Sequence, residues 1–513
     1  MLQNRDNGER ARKKLVVVQG RWAALAFGSG LLVACTVQHA DRGSGGDAGS
    51  ERDGGMQRDA GSDTDHDAAD ADSGAGNGQD GGSGPRAGDR PVLYPGDLRH
   101  SPLTPSVAQT LRSILAKGSD TNRKNFIRVG DNLSHASHLL GCFDPKSGET
   151  PVLGATVSAE PTLQYFLGGS IQGVSPFAYT VDMESFVPRS VIDGSGGSSW
   201  LQQQIELAHP AFALVSFGPI GHAGAGDPNA DDYLIVENVG APMLEIVDTL
   251  IAHGTIPLLR SAPPYYGRPQ PNMLFSLVNA LSRAVAQGRQ VPFADPYPEY
   301  QKLGAEGYWS DGAHLADYMG NPCDFSVPAL AFGDNVMNRS VVEQMHRAKT
   351  VLLDSAAVPD ADGSTLEGEG TETTPYFARS LPFSDLREFA ASGNRSSYSA
   401  CPSPAGFNGE GPGKNESAGE RIYKYTATKA TKLRAFVFDR NGSSASSYVH
   451  HFIGGLDHCA SSHFALLQLE VAAGDHYFVV DASQGTGGTA PAEFGFGLVE
   501  CDPADTTCVT DLH

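Results

Sequence analysis

The sequence predicts an α/β domain, with a parallel sheet flanked by helices, followed by an all-β sandwich. Between Asn125 and Arg347, short apolar runs alternate with amphipathic segments of helical period, which is typical of a parallel sheet covered on both faces. From Ser380 onward, short runs rich in β-branched and aromatic residues lie between turn signals such as Asn441-Gly442. No helical period is evident there, so the second region is expected to be all-β.

The predicted elements of the α/β domain follow in chain order. Strands are expected from Phe126 into Gly130 and at 212–217, 255–259 and 291–295. Helices are expected at 133–140, 201–208, 233–252, 273–287 and 341–350. Gly254 and Gly288 are expected to end the third and fourth of these helices, because glycine readily adopts the left-handed conformation that follows a helix.

The predicted sandwich strands are short and separated by turn residues. They are expected at 421–425, 433–438, 464–471, 476–480 and 494–499. Between the second and third of these, Tyr448, His450, His451 and Phe452 are interpreted as strand packing with exposed imidazoles, with a sugar site as the alternative.

The composition narrows the class of protein. The chain has 513 residues, a length that can hold about two to four domains. Of these residues 40% are hydrophobic, which is enough for each domain to form a core. The formal net charge is −22, and no Lys or Arg cluster follows the first residues. Since nucleic acids and anionic lipids attract clustered cations, the sequence argues against a nucleic-acid partner.

The first 35 residues have the order of a secretory signal. A basic stretch at 10–14 precedes an apolar run at 22–32, which ends at Leu32-Val33-Ala34-Cys35. These four residues look like a bacterial lipobox, so Cys35 is expected to be lipidated and to anchor the protein to a bacterial membrane, at the outer membrane or cell surface. An uncleaved anchor or a buried helix is the alternative, although the run is short for a span of about 20 residues.

Changes in composition mark the remaining boundaries. Residues 36–95 are rich in Gly, Asp and Ser and have few large apolar side chains. Such a segment buries too little surface to offset its ordering entropy, so it is expected to be a disordered, extended tether. The α/β domain is assigned to 96–355, a linker to 356–379 and the sandwich to 380–513.

The most informative motif follows the first predicted strand, where Val129-Gly130-Asp131-Asn132 leads toward Leu139-Leu140-Gly141-Cys142-Phe143. The pattern resembles the first block of the SGNH/GDSL hydrolases, in particular a secreted lipoprotein branch with Val-Gly-Asp-Ser, a helix and Leu-x-Cys-Phe. The family's nucleophile is the serine. Asn132 stands in its place, and its carboxamide has no ionisable proton for a histidine base to remove.

The other family blocks are only partly kept. The resemblance implies that Asp311 and His314, within Ser310-Asp311-Gly312-Ala313-His314, are the orienting acid and the base. The asparagine of the family's oxyanion hole is replaced by Ile220. The remaining oxyanion-hole donors are sought among backbone N–H groups of glycines, namely Gly194, Gly196, Gly197 and Gly218.

These departures predict an esterase-like scaffold with an incomplete catalytic set, made of Asp131, Asn132, Asp311 and His314. One hypothesis is ligand binding or a structural role at the cell surface without hydrolysis. The other is ester hydrolysis of a polysaccharide or lipid, with Asp311 and His314 activating water beside Asn132. The expected ligand is a carbohydrate or an acyl ester, and no cofactor or metal is expected.

Two histidines, His135 and His138, are one helical turn apart in the predicted helix and form the only weak metal-site candidate. No carboxylate partner for them is evident in the sequence. Besides Cys35 there are six cysteines, an even number that favours disulfides in an exported chain, with isolated buried thiols as the alternative. The resemblance implies that Cys142 and Cys323 pair at the rim of the site. Three connectivities stay open for Cys401, Cys459, Cys501 and Cys508.

The carboxy-terminal region resembles the bacterial pre-peptidase carboxy-terminal domains. The matching positions are Cys401, Asn415-Glu416-Ser417 with Glu420, Val437-Phe438-Asp439, Cys459, Gly474 with Tyr477, Val479-Val480-Asp481, and Glu493-Phe494 leading to Cys501. The resemblance implies a β-sandwich attached to a secreted enzyme, similar to carbohydrate-binding or surface-binding modules.

Overall fold

The computed structural model describes residues 90–513 except 181–186, 194–198, 219–232, 268, 362, 391–400, 402–418, 441–446, 483–492, 502–507 and 509–513. The expected signal, Cys35 and most of the expected tether lie outside the described residues. The described residues belong to one compact unit. No helix in the described part of the chain has the length and hydropathy of a membrane span.

The first layer of the structure is a four-stranded parallel sheet in the order β1-β2-β3-β4. Its strands are β1 (Asn122–Gly130), β2 (Pro210–Ser216), β3 (Ile256–Arg260) and β4 (Phe293–Ala294). The helices are α1 (Pro105–Lys117), α2 (Glu160–Leu167), α3 (Pro188–Ile192), α4 (Trp200–Ala208), α5 (Tyr233–Ala252), α6 (Pro269–Arg289), α7 (Tyr297–Tyr300) and α8 (Gly333–Leu352). Every residue of β2 is buried, as expected of a parallel strand covered on both faces. The predicted α/β class is confirmed.

The helix predicted at 133–140 is wrong. Only a short 3₁₀ turn forms at Asn132–Ser134, followed by turns and a second 3₁₀ segment at Gly141–Phe143. Side chains from other segments bond the backbone groups that a helix would pair internally. The Arg128 Nε donates to Leu139 O at 2.9 Å, and Leu140 N donates to Asn338 Oδ1 at 2.6 Å. Because these contacts satisfy the backbone, the segment has no need of intrahelical bonds.

Gly288 does not end α6, contrary to the prediction. The helix continues to Arg289. A β-carbon on Gly288 would lie 2.4 Å from the side chain of Leu386, so glycine is required here by close packing and not by a left-handed turn. The last helix also starts earlier than predicted, at Gly333. Its first turns contain buried polar side chains held by hydrogen bonds, and an apolar periodicity in the sequence does not reveal such turns.

The second layer is a sandwich of two antiparallel sheets, which confirms the predicted all-β class. One sheet has the order β10-β9-β12-β7-β5 and the other β11-β8-β13-β6. The strands are β5 (Tyr376–Ala378), β6 (Phe383–Glu388), β7 (Arg421–Ala427), β8 (Thr431–Asp439), β9 (Ser447–Ile453), β10 (Cys459–Phe464), β11 (Leu466–Val471), β12 (Gly474–Ala482) and β13 (Glu493–Glu500). β5 pairs with β7 in parallel and the other pairs are antiparallel.

Three disulfides are present in the described chain. Cys142 is bonded to Cys323 with a Cα–Cα distance of 5.8 Å, which is the pairing implied by the family resemblance. Cys401 pairs with Cys459, and Cys501 pairs with Cys508, at Cα–Cα distances of 5.1 and 6.1 Å. The structure therefore selects one of the three connectivities that the sequence left open.

The two layers meet where α6 packs against β6 and β13. Gln287 of α6 donates to the carbonyl of Ser384 at 2.8 Å. Next to it, the buried Arg289 binds Asp248 of α5 and Glu493 of β13, each through contacts of 2.6 Å. This ion-paired, close-packed junction joins the sandwich to the α/β layer.

Candidate functional site

The candidate site lies at the carboxyl edge of the parallel sheet, where β1 and β2 end side by side. Gly130 at the end of β1 pairs with Ser216 at the end of β2. Asp131, which follows Gly130, accepts hydrogen bonds from Leu133 N at 3.1 Å and from Gly218 N at 2.8 Å. The buried Asp131 thus fixes the turn that presents Asn132. Burial raises the pKa of Asp131, and its backbone hydrogen bonds oppose that shift.

Asn132, His314 and Asp311 form a continuous hydrogen-bonded line. The Asn132 Nδ2 lies 2.9 Å from His314 Nε2, and His314 Nδ1 lies 2.6 Å from Asp311 Oδ2. The carboxylate requires a proton on Nδ1, so in the neutral imidazole Nε2 accepts from the Asn132 amide. The structure therefore brings together the three residues that the resemblance grouped, with the amide in the serine's position.

The Asp311 carboxylate is held in its charged form. Burial alone would raise its pKa, but hydrogen bonds from the His314 side chain and from the N–H groups of His314 and Ala313 lower the pKa of Asp311 to about 2. The side chains of His314 and Asp311 are 34% and 41% exposed, so solvent and ligands reach them. Asp311 is thus a fixed negative charge that orients the imidazole.

The loop carrying Asp311 and His314 is fixed by its own backbone and by Tyr266. Gly312 has φ +68°, and a β-carbon there would lie 2.4 Å from the carbonyl oxygen of Tyr266. Tyr266 N donates to Gly312 O at 2.7 Å, and Trp309 N donates to His314 O at 2.9 Å. Glycine is therefore required at the second position of the Asp-x-x-His block.

A second histidine–carboxylate pair lies close by. His138 Nδ1 is 3.1 Å from Asp334 Oδ2, and this hydrogen bond, opposed by burial, raises the pKa of His138. The Trp309 ring lies 5.8 Å from the His138 ring and 5.4 Å from the His314 ring, centroid to centroid. Neither Asp334 nor Trp309 has an evident role in the sequence, because only the fold brings α8 and the 309–314 loop to the end of β1.

The weak metal hypothesis gains no support from these contacts. His138 pairs with Asp334, whereas His135 Nδ1 lies 2.9 Å from the Ser137 hydroxyl. In the described ranges, no group of three or more His, Cys, Asp or Glu side chains is arranged to hold a metal ion.

Arg128 of β1 holds the segments beneath the candidate site in place. The side chain is buried, and its guanidinium donates to the carbonyls of Leu139, Pro176, Phe177 and Tyr179 at 2.6–3.2 Å. Burial lowers the pKa of Arg128 to about 9. A charged residue within an apolar strand was the available sequence signal, but its partners are carbonyls of distant segments.

The structure describes only one of the glycines that were oxyanion-hole candidates. Gly194, Gly196, Gly197 and Ile220 lie outside the described residues. Gly218 is described, and its N–H donates to Asp131, so this donor is already engaged. Asn279 of α6 is buried and bonds both the N–H and the carbonyl of Ala262, at 2.7 and 3.1 Å. Asn279 therefore secures the chain after β3.

No family model matches the sequence, and no curated protein matches it. Solved structures similar to the chain include acetyl esterases of the SGNH type and a pre-peptidase carboxy-terminal domain. A two-domain esterase active on acetylated mannans aligns over 81% of this chain and 98% of its own, with 9% identity and a TM-score of 0.27. A mutant acetyl-xylooligosaccharide esterase from Geobacillus aligns over 44% of this chain and 95% of its own, with 13% identity and a TM-score of 0.28.

The sandwich has its own similar structure. The pre-peptidase carboxy-terminal domain of a collagenase from Bacillus anthracis aligns over 24% of this chain and 95% of its own, with 9% identity and a TM-score of 0.16. At such identities and TM-scores, none of these structures establishes an activity or a ligand for this chain.

Proposed function

We propose that this protein is a glycan-binding protein of the bacterial cell surface, built on an SGNH-type esterase fold and unable to transfer acyl groups through a side-chain nucleophile. The supporting observation is the 2.9 Å contact between Asn132 Nδ2 and His314 Nε2. In an esterase of this type, the same imidazole nitrogen removes the proton of a serine hydroxyl. Here the nitrogen is engaged by an amide.

The cost of this replacement favours binding over catalysis. Removing the serine of a triad lowers turnover by about 10⁶, and removing one oxyanion-hole donor lowers it by about 10² to 10³. Within the described residues, His314 makes no hydrogen bond to a hydroxyl group. The described residues therefore supply an imidazole and an orienting carboxylate without a hydroxyl group for the imidazole to activate.

A glycan, with or without acyl groups, suits the groups that remain. Asn132, His314 and Asp311 supply an amide, an imidazole and a carboxylate, which together donate to and accept from sugar hydroxyls. They are partly exposed at the edge of the sheet. The net charge of −22 disfavours polyanionic ligands such as nucleic acid.

Surface attachment is the second part of the proposal and concerns residues that the structure does not describe. Leu32-Val33-Ala34-Cys35 supports lipidation at Cys35, and the acidic 36–95 segment supports a tether that holds the folded part away from the membrane. Metabolic labelling with radioactive palmitate tests this. Label is expected in the native chain and absent from Cys35→Ser, and an unlabelled native chain contradicts the anchor.

Ester hydrolysis by activated water is the second candidate function. The observation that favours it is the intact pair of His314 and Asp311, with 2.6 Å between Nδ1 and Oδ2. A water molecule has to displace the Asn132 amide from Nε2 before the imidazole can take its proton. Activity by this route is expected to be slow and confined to reactive esters.

Hydrolysis of p-nitrophenyl acetate by the purified full chain separates the two candidates. The proposal expects no turnover above the buffer rate in the native chain, and a gain in Asn132→Ser that Asn132→Ala lacks. The double substitution Asn132→Ser/His314→Ala should abolish that gain. Native turnover that is lost in His314→Ala contradicts the binding proposal and supports water activation.

A further inference from the structure

Two large aromatic side chains stand exposed at the loop that carries Asp311 and His314. Trp309 is 48% exposed and Tyr266 is 44% exposed. Both are tied to that loop by main-chain hydrogen bonds, from Trp309 N to His314 O and from Tyr266 N to Gly312 O. Both side chains therefore lie beside Asn132, His314 and Asp311, where a ligand bound to these three residues can also contact them.

The two rings are held in place before any ligand arrives. Trp309 lies against the rings of His138 and His314, at 5.8 and 5.4 Å between centroids. Tyr266 stacks on the buried Tyr308, with 5.6 Å between centroids and 25° between planes. A ligand that packs on fixed rings loses little affinity to the ordering of side chains.

From this arrangement we propose that Trp309 and Tyr266 form an aromatic platform, on which the pyranose rings of a neutral polysaccharide chain stack while their hydroxyls bond to Asp311, His314 and Asn132. Pyranose rings present flat faces of C–H groups, which pack on aromatic faces, and an equatorial rim of hydroxyls, which need polar partners. The inference rests on the glycan-binding function proposed above and names its ligand class.

Charge decides in favour of neutral over acidic sugars. Asp311 is a fixed anion in the site, held in its charged form by hydrogen bonds from His314 and Ala313. A uronic acid placed on the platform would bring a second carboxylate beside Asp311, and the two like charges would repel each other.

Tryptophan fluorescence reports directly on the platform. The chain has three tryptophans, Trp22, Trp200 and Trp309. In the full-length Trp22→Phe/Trp200→Phe chain, Trp309 is the sole indole. Titration with mannopentaose, xylopentaose or cellopentaose is expected to shift its emission in a saturable manner for at least one of the three. A pentamer of galacturonic acid at the same concentration is expected to leave the emission unchanged.

Calorimetric titration of the otherwise native chain separates the platform from the broader function. Trp309→Ala is expected to weaken binding of the neutral glycan about tenfold or more, Tyr266→Ala to weaken it less, and Trp309→Phe to restore part of the loss. The matched control is Ile453→Ala, which removes an apolar side chain that is 52% exposed on β9 of the sandwich and should leave affinity unchanged.

The outcomes distinguish two failures. If a neutral glycan binds and Trp309→Ala binds equally well, the platform is overturned while the glycan-binding function stands. If the galacturonate binds as tightly as the neutral glycans, the charge argument is overturned. Failure of all three neutral glycans to bind the native chain at millimolar concentration overturns both the platform and the function on which it rests.

Discussion

The Nδ2 atom of Asn132 lies 2.9 Å from the Nε2 atom of His314. An imidazole that faces a carboxylate on one side and an amide on the other has a fixed proton arrangement. Its Nδ1 proton points to Asp311 and its Nε2 lone pair points to the amide. Asn132 therefore completes the hydrogen bonding of the histidine and leaves it without a proton to remove.

The first prediction concerns this proton arrangement. ¹⁵N NMR of histidine-labelled protein should show that the neutral imidazole of His314 carries its proton on Nδ1. In Asn132→Asp, a carboxylate of the same shape replaces the amide and accepts a hydrogen bond from Nε2–H, so His314 should carry protons on both ring nitrogens. Asn132→Ser should keep the native tautomer. A native His314 protonated on Nε2 alone contradicts the arrangement.

The second prediction concerns Arg128 beneath the site. Arg128→Met keeps the length of the side chain but leaves the four carbonyls bonded by the guanidinium without donors. Each buried, unsatisfied polar group costs about 1 to 3 kcal/mol, so the free energy of unfolding in urea should fall by at least about 3 kcal/mol.

Arg189→Met is the matched control for Arg128. Arg189 is 46% exposed, and its contacts to Asp193 and Glu245 are 3.9–4.0 Å long. Exposed pairs of this kind contribute about 0 to 1 kcal/mol, so little change is expected. Equal effects of the two substitutions would show that the buried carbonyls do not depend on Arg128.

The third prediction concerns the junction between the two layers. Burial lowers the pKa of Arg289, but hydrogen bonds and charge from Glu493 and Asp248 raise it above its ordinary range. Arg289→Met leaves Asp248 and Glu493 with only the half-exposed Arg440 as a cationic partner and should destabilise the protein by up to about 3 to 5 kcal/mol. Differential scanning calorimetry should also show the sandwich and the α/β layer separating into two transitions.

A control for Arg289 comes from Arg379, which pairs with Glu367 at the surface and is 66% exposed. Arg379→Met should leave the thermal transition nearly unchanged. If Arg289→Met also leaves it unchanged, the ion pairs do not stabilise the junction.

The fourth prediction concerns pH and the buried histidines of β9. Burial lowers the pKa of His450 to about 3, and burial together with the charge of His476 lowers that of His451 to about 4, from an ordinary value of 6.5. The unfolded chain therefore binds more protons than the folded chain as the pH falls from about 6.5 toward 4. Stability should decrease over this range, by about 1.4 kcal/mol per pH unit and histidine at the steepest part.

Urea unfolding at pH 7.5, 6.0 and 5.0 measures this slope. His450→Phe removes one titrating group within β9 and should make the slope shallower. His253→Phe replaces an exposed histidine at the end of α5 and should leave the slope as it is in the native chain. A slope that is unaffected by His450→Phe would mean that other groups govern the acid response.

The sequence predicted well those helices and strands whose buried residues follow a local pattern of apolar side chains. The helix at Tyr233–Ala252 has the predicted bounds, and β2, fully buried, differs from its predicted bounds by a residue or two. Strand β10 was missed, and the imidazoles of β9, expected to be exposed, are buried against cross-strand partners: His451 Nε2, for example, lies 3.0 Å from His476 Nδ1. Such partners come from distant positions, which local periodicity does not register.

The site shows the same division. Asn132, Asp311 and His314 were singled out by the family resemblance, and the structure joins them in one hydrogen-bonded line. Trp309 carried a local signal, as a tryptophan five residues before the histidine, but only its exposure and its ring contacts make it a candidate ligand contact. Asp334 carried no sequence signal, because its contact with His138 depends on how α8 packs in the fold.

The sequence by itself determined the two fold classes, the presence of asparagine where the resembled family has serine, and the presence of Asp311 and His314, because these follow from residue type and local pattern. Only the tertiary structure decided that the segment after Asn132 is an irregular loop, since Arg128 and Asn338 satisfy its backbone from outside. It also decided the pairing of the four sandwich cysteines, the engagement of Gly218 by Asp131 and the juxtaposition of Trp309 with two imidazoles. Each of these depends on groups distant in the chain, whose approach is set by packing the whole core.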